Sequence, residues 1–238
     1  MIKTLYVNGD SHVAGSHLEE MYQPNISFAG QLAKQCNVEC VNDAQAGGSN
    51  DRIIRTSKEH LKNIDPSLTA VFVVWSTFER TEWFYENKWH QICGQPLYEP
   101  NSNQKLNKLW KEYTDAFWHN TNEKSSIFYL SRAIETQYKI KEFSEWLTNK
   151  GFKHLFCHSH SSFFYKKNGF EIEWNDNIWL FNKPYDHSIT FCNKIIEFGH
   201  KPDLYWHFDK KAHKDYANYI TPEFKKFLSA QFLFTTKR

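Results

Sequence analysis

Leu68-Thr-Ala-Val-Phe-Val-Val-Trp75 is an uncharged run of eight residues, rich in β-branched side chains. It is too short for a typical globular helix and continuously apolar rather than alternating, the pattern of a strand buried on both faces of a parallel sheet. Asp65-Pro66 closes the helical pattern before it, Asp51 to Lys62, whose Ile53, Ile54 and Leu61 are apolar. Upstream, Val38 to Asn42 reads as a short strand and Ile26 to Cys36 as a helix with Phe28, Leu32 and Ala33 on one face. Thr4 to Val7 reads as the first strand. The order is therefore β-α-β-α-β, which predicts a doubly wound α/β layer.

Downstream, Ser126 to Thr148 carries a long helical pattern (Ile127, Leu130, Ile134, Ile140, Phe143, Leu147), and Phe152 to His158 reads as a fourth strand. Ile172 to Phe181 reads as a strand or as part of a lid. Ser188 to Phe198 reads as a short helix, Lys211 to about Ile220 as another, and Thr221 to Phe234 as an amphipathic tail. Glu79 to Ser125 breaks the rhythm with Trp83, Phe84, Tyr85, Trp89, Trp110, Tyr113, Phe117 and Trp118. This is read as an insertion, about 79–125, with a helix over 103–120. It is either a lid or substrate wall, or a helical layer that covers the sheet. Aromatic residues make up 17% of the chain, which predicts a thick core and an aromatic-walled groove.

With 238 residues the chain is long enough for one large domain. Lys and Arg (29) nearly balance Asp and Glu (27), so the charge points to neither a nucleic-acid nor a membrane partner. No apolar run reaches bilayer length and no signal-peptide core is seen, which predicts a cytoplasmic protein. The five cysteines (36, 40, 93, 157, 192) include no CxxC pair, so they are read as reduced packing residues.

In such a sheet, ligands gather at the C-terminal ends of the strands. That rim takes in the turn Asn8-Gly9-Asp10-Ser11, the loop Asp43-Ala-Gln-Ala-Gly-Gly-Ser-Asn50, and Ser76-Thr77. A strand ending in a Gly-containing bend, with Ser11 just beyond it and a helix from about Ala14 to Glu20, lifts the Ser11 hydroxyl clear of the sheet. Free backbone N–H groups and a helix dipole then point at it, the arrangement a serine nucleophile needs. The plainer alternative is an Asp/Ser helix cap with Gly9 serving only the turn. A general base should be a histidine on a loop that folds back over the rim, with a carboxylate on its far nitrogen. His207, with Asp203 four residues earlier, fits, and His213 is read as structural support. His158-Ser-His160 also falls on the rim, as packing or hydrogen-bonding residues.

These pieces together resemble the SGNH/GDSL hydrolase superfamily. Gly9-Asp10-Ser11 matches its first block, Gly48 in Ala46-Gly-Gly-Ser-Asn50 its second, and His207-Phe-Asp-Lys-Lys-Ala-His213 its late histidine stretch, with Phe208 for Pro and Ala212 for Gly. A looser likeness, in Trp75 to Trp83 and Gly47 to Ile53, is to SGNH-like proteins of large tailed phages. The resemblance implies a single SGNH-hydrolase-like domain over 1–238, with a three-layer α/β/α fold, a central parallel sheet and an aromatic-rich helical insertion. It implies a serine esterase with Ser11 as nucleophile, His207 as base and Asp203 orienting the base. The oxyanion would be held by Ser11, Gly48, Asn50 and Thr77, and the substrate contacts would be Asp10, His12, Trp75 and Ser76. No cofactor is expected. The expected partner is a small-molecule or carbohydrate ester, with no nucleic acid and no membrane; a phage-encoded protein would work in the host cytoplasm or the virion.

Two departures stand out. The third family block, roughly Gly-x-Asn-Asp, is replaced by Trp75-Ser-Thr-Phe-Glu79, and Asp203 lies one residue further from His207 than the family pattern. They motivate a rival reading, a binding or virion-associated protein that kept the fold and lost the chemistry. A third reading is a metal-dependent hydrolase using Asp10, His12, His158 and His160.

Overall fold

In the computed structural model the apolar run is a strand, Thr69–Trp75, with every residue buried. The structure describes residues 1–16, 18, 25–78, 80–92, 105–106, 108–109, 112, 127–160, 172–174 and 177–230. In chain order the elements are β1 (Thr4–Asn8), α1 (Ser11–Ala14), α2 (Phe28–Cys36), β2 (Glu39–Asn42), α3 (Asn50–Leu61) and β3 (Thr69–Trp75). Then come β4 (Thr81–Tyr85), β5 (Lys88–Ile92), α4 (Ile127–Asn149), β6 (Lys153–His158), α5 (Phe191–Glu197) and α6 (Lys210–Ser229).

The main sheet runs β2-β1-β3-β6, with β1 paired parallel to β2 and β3, and β3 parallel to β6. The chain passes from β1 outward to β2, then returns across β1 to β3, so the order reverses at β1. Such a reversal opens a crevice beyond the C-terminal ends of β1 and β3, and the Ser11 turn stands there.

Period-two alternation along the strands separates two cores. Leu5, Val7, Phe72, Val74 and Leu155 pack on one side against Phe28 and Leu32 of α2, Phe191 and Ile195 of α5, and Tyr216, Ile220 and Phe224 of α6. Tyr6, Val71, Val73, Trp75 and Phe156 face the other side, against Ile53 and Leu61 of α3 and Ile140, Phe143 and Leu147 of α4. Helices on both faces of a parallel sheet make the three-layer α/β/α arrangement. Each fully buried Leu or Phe in it contributes about 1.5–3 kcal/mol.

Three local expectations are corrected, and a fourth lies largely beyond the described residues. The first helix begins at Ser11 and ends at Ala14, because Gly15 turns left-handed (φ 73°) and donates its N–H back to Ser11. The inserted segment opens as an antiparallel hairpin, β4–β5, in which Thr81 to Tyr85 pairs with Lys88 to Ile92. Its strands take β-favouring Thr, Trp, Phe, Tyr and Ile, while Glu86 and Asn87 supply the two left-handed turn residues (φ 49° and 60°). The helix expected over 103–120, with Trp110, Tyr113, Phe117 and Trp118, lies largely outside the described residues; within it, residues 105, 106, 108, 109 and 112 are helical. The last helix runs unbroken from Lys210 through Pro222 to Ser229. An interior proline costs about 3 kcal/mol, and burial of Tyr216, Ile220 and Phe224 against the sheet offsets it.

Trp179 bridges Phe156 in parallel beside β6, the one such pairing among the described residues of the stretch read as a strand or part of a lid. Among the described residues the cysteines are free thiols, Cys36 and Cys40 half-buried and Cys157 and Cys192 buried; Cys93 lies outside the described residues. No described helix is long and apolar enough to cross a membrane.

Candidate active site

Two glycines packed back to back build the turn that carries Ser11. A Cβ on Gly9 would collide with the Val13 side chain and lie 2.9 Å from the Val74 carbonyl oxygen. One on Gly48 would lie 2.9 Å from the Gly9 carbonyl oxygen and 3.0 Å from that of Gln45. Any larger residue at either position would push the turn off the loop after β2. Asn8 anchors the turn from below. Its Oδ1 accepts from the Gly9 N–H (2.8 Å), and its Nδ2 donates to the Tyr6 hydroxyl, Thr56 Oγ1 and Ser57 Oγ. Asp10 caps α1 by accepting from the His12 N–H at 3.1 Å. Ser11 follows, 6% exposed. α1 is one turn long and brings no long macrodipole to the serine; Asp10 takes the N–H groups of His12, Val13 and Ala14.

Asp10 is completely buried. Its Oδ2 accepts from Ser159 Oγ (2.6 Å) and Ser76 Oγ (3.3 Å) and lies 3.4 Å from both Arg80 Nη1 and His160 Nε2. Burial by itself would raise the Asp10 pKa. The hydrogen bond from His160 and the charges of His12, His160 and Arg80 outweigh it and hold the carboxyl well below the usual range. Of His12 and Arg80, only the arginine brings a lasting charge, because burial and then the charge of His160 drive His12 well below its ordinary value. Arg80 also donates to Ser76 Oγ at 2.8 Å. Sequence reasoning missed Arg80 and Ser159; the one available signal was that a carboxylate in a buried turn requires a cation.

The expected substrate contacts are therefore mostly floor. Asp10, His12, Trp75 and Ser76 are all buried, to 0%, 1%, 0% and 4% exposure. Trp75 lies in the core, edge-on to Phe156 at 5.1 Å and Phe143 at 6.0 Å. Two of the expected oxyanion donors are engaged. Both ends of the Asn50 amide bond to Ser76, Nδ2 to its carbonyl (3.0 Å) and Oδ1 from its N–H (2.9 Å). The Gly48 N–H donates to the Gln45 carbonyl at 2.9 Å. Asn50 thus ties α3 to the end of β3, and Gly48 closes its own loop. Thr77 is half-buried on the same rim.

The C-terminal loop is built around Asp203. Its Oδ1 accepts from the N–H groups of Tyr205 and His207, both at 2.8 Å, and its own N–H donates to the His207 carbonyl at 2.8 Å. The extra residue between Asp203 and His207 is absorbed at Trp206, which is left-handed at φ 62°. His207 Nδ1 lies 4.0 Å from Asp203 Oδ1. The His207 ring stands 5.4 Å from the ring of His12, the residue after Ser11, so the last loop folds back over the first turn. Beneath it, His213 Nδ1 accepts from the Phe28 N–H at 3.1 Å. Burial, helped by the charge of His207, takes the His213 pKa down to about 3 and keeps that nitrogen an acceptor.

The two histidines after β6 part company. His158 stacks on Trp179 (4.9 Å) and its Nε2 meets the Pro184 carbonyl (3.1 Å), with burial lowering its pKa to about 3. His160 turns the other way, its Nε2 3.1 Å from His12 Nε2. The hairpin closes the rim from outside. Gln91 Oε1 accepts from the Ser49 N–H (3.2 Å), and Glu82 takes a paired hydrogen bond from Arg55, 2.8 Å to each oxygen. Phe84 and Trp89 form an exposed pair 5.2 Å apart, with Arg55 over the Trp89 ring at 4.7 Å.

A model described as a family of unknown function matches residues 10–168. No curated protein matches the sequence. Among solved structures, the chain is similar to the psychrotrophic esterase EstA from Pseudoalteromonas sp. The identity is 12% and the TM-score 0.48, over 96% of this chain and 100% of that one. It is similar to a member of the lipolytic protein G-D-S-L family from Veillonella parvula (11%, TM-score 0.45, 93% and 97% covered). It is also similar to an acetyl xylan esterase, Est2A, from Butyrivibrio proteoclasticus (12%, TM-score 0.42, 95% and 64% covered). Overlaps this loose carry no argument about chemistry, which has to come from the residues.

Proposed function

The chain belongs to that family of unknown function, DUF6071, and we propose that it is a serine-dependent ester hydrolase with Ser11 as nucleophile and His207 as general base. One observation carries the reading. The His207 ring, from the last loop, lies 5.4 Å from the ring of the residue that follows Ser11. The Nδ1 side of His207 faces Asp203 at 4.0 Å, and we assign Nε2 the task of taking the Ser11 proton. Asp203 orients the ring through the loop it closes.

In the proposed cycle His207 Nε2 takes the Ser11 proton as Oγ attacks the ester carbonyl. The oxyanion forms against the Ser11 N–H, with the Thr77 hydroxyl as second donor, and collapse expels the alcohol with the proton held by His207. Water, activated by the same imidazole, then releases the acid. Asp10 stays ionised below the reaction and fixes the turn. Removing one oxyanion donor typically lowers rate about 10²–10³-fold, so a site without the amide of Asn50 is expected to be slow. The exposed Phe84–Trp89 pair, on a hairpin joined to the rim through Gln91 and Ser49, supplies a flat apolar face, and on that ground we assign a carbohydrate-borne or other small acyl ester as substrate.

The engaged Gly48 and Asn50 amides favour one other reading, an SGNH-like fold kept for binding. A fluorophosphonate probe separates the two. Labelling of native protein that disappears in Ser11→Ala, with small acetyl-ester turnover lost in both Ser11→Ala and His207→Ala, supports the hydrolase. Folded wild-type protein that never takes the label removes it and leaves the binding protein.

A further inference from the structure

Next to the Ser11 turn, three side chains from distant parts of the chain converge. They are His12 from α1, His160 from the loop after β6, and Cys192 from the first turn of α5. His12 Nε2 lies 3.1 Å from His160 Nε2 and 3.4 Å from Cys192 Sγ, and that sulfur lies 3.5 Å from His160 Nδ1. One ligand atom from each falls within 4.8 Å of the others. We propose that His12, His160 and Cys192 bind a borderline-soft divalent transition metal, Zn2+ before others.

The donor set argues for that class of ion. Two imidazole nitrogens and one sulfur suit Zn2+, whereas Ca2+ and Mg2+ require oxygens. Size argues the same way. Zinc bonds of about 2.0–2.1 Å to nitrogen and about 2.3 Å to sulfur make a tetrahedron with edges of roughly 3.3–3.6 Å. The two edges that meet at the sulfur, 3.4 Å to His12 Nε2 and 3.5 Å to His160 Nδ1, nearly match those values already, and the three ligand atoms all lie within 4.8 Å of one another. Three protein ligands leave a fourth position open. The surrounding shell also fits. With His160 Nδ1 on the ion, its Nε2–H is left for Asp10 Oδ2 at 3.4 Å, the carboxylate–histidine–metal relay that fixes a ligand's tautomer. The His160 side chain is 23% exposed, which gives the ion a way in. The sequence pointed towards a different set, with Asp10 and His158. His158 is turned away to Pro184, and Cys192 takes its place from a helix that no ligand spacing connects to the histidines.

Binding replaces the S–H bond of Cys192 by an S–metal bond and releases that proton to solvent, while the two imidazoles bind neutral. Affinity should therefore fall about tenfold per pH unit as the medium is acidified. The test uses full-length protein freed of metal with a chelator and titrated with Co2+, without any ester. The expected result is one equivalent bound, with a thiolate-to-cobalt charge-transfer band in the near ultraviolet that Zn2+ abolishes by displacement. Cys192→Ser should lose the band and Cys36→Ser should keep it. Should Cys192→Ser fail to fold, His160→Gln, changed at a partly exposed side chain, must lose stoichiometric binding while keeping a native circular dichroism spectrum. Absence of stoichiometric Co2+ binding by wild type, or a band unchanged in Cys192→Ser, would leave the three as a hydrogen-bonded cluster and overturn the proposal. Because no substrate is read, the outcome stands apart from the fate of the esterase reading.

Discussion

Two aspartates flank the candidate nucleophile and base, and their surroundings could hardly differ more. Asp10 is fully buried, with two serine hydroxyls, Arg80 and His160 around one oxygen. Asp203 has a side chain 43% exposed and spends its Oδ1 on two amides of its own loop, 4.0 Å from the His207 ring. The first is part of a floor that cannot move without unsatisfying several buried groups. The second belongs to a strap that holds its shape by local hydrogen bonds alone. The difference teaches that charge strength and chemical role are separate here. The more strongly held carboxylate builds the turn, and the loosely held one stands beside the base.

That contrast breaks if the two respond alike to substitution. Asp10→Ala should lower unfolding stability by about 3–5 kcal/mol in urea, because it removes the acceptor shared by two buried serine hydroxyls and the carboxylate that faces half-buried Arg80. A loss under 1 kcal/mol would mean that the floor relaxes and the hub is not structural. Asp203→Asn keeps an oxygen for the amides of Tyr205 and His207, so the urea midpoint should hardly change. Ester turnover should nevertheless drop about 10²-fold or more as His207 loses its orienting charge. Unchanged turnover in Asp203→Asn would show that the strap places the base by its backbone alone.

The floor and the strap also differed in how far the sequence disclosed them. The β-α-β-α-β order, the two-faced strands and the Ser11 turn were legible, because period-two burial and the Gly9 bend are local in sequence. The placement of His207 over the first turn was legible as a requirement of chemistry. Arg80, Ser159 and Cys192 were not, since each reaches the site from an element whose own pattern speaks only of helix, strand or loop. The substrate roles given to Trp75 and Ser76 failed for the same reason. The last residue of a strand can face the rim or the core, and here Trp75, which ends β3, turned inward onto Phe143 and Phe156. The hairpin was missed because its aromatic residues fit a lid, a helical layer or a pair of strands equally well.

Acid should reveal the floor before the strap. His213 is neutral in the fold, with a pKa down to about 3, against about 6.5 in an unfolded chain. Between those values the unfolded state binds the extra proton, so stability is full above about pH 6.5 and falls as the pH drops towards 3. Between pH 6.5 and pH 5 this one group should cost about 2 kcal/mol. In His213→Gln, where the amide oxygen can still accept from Phe28, the slope of stability against pH should flatten by one proton's worth. Equal slopes in wild type and variant would place the acid sensitivity elsewhere, with His158 the next group to change.

The smallest expected effect lies in the strap, at the residue that absorbs its extra length. Trp206 is held left-handed at φ 62° with its side chain in solvent, 58% exposed. That conformation costs a non-glycine residue about 1 kcal/mol or more, and glycine adopts it without penalty but loses more chain entropy on folding. Trp206→Gly should therefore leave the urea midpoint unchanged or raise stability by up to about 1 kcal/mol. The turns through Asp203 should persist, because the Trp206 N–H still reaches the Asp203 carbonyl. If stability instead falls by more than 1 kcal/mol, the Trp206 ring itself holds the strap. The loop over Ser11 would then be secured by side-chain packing, as the floor is, and the contrast between the two aspartates would narrow to one of exposure.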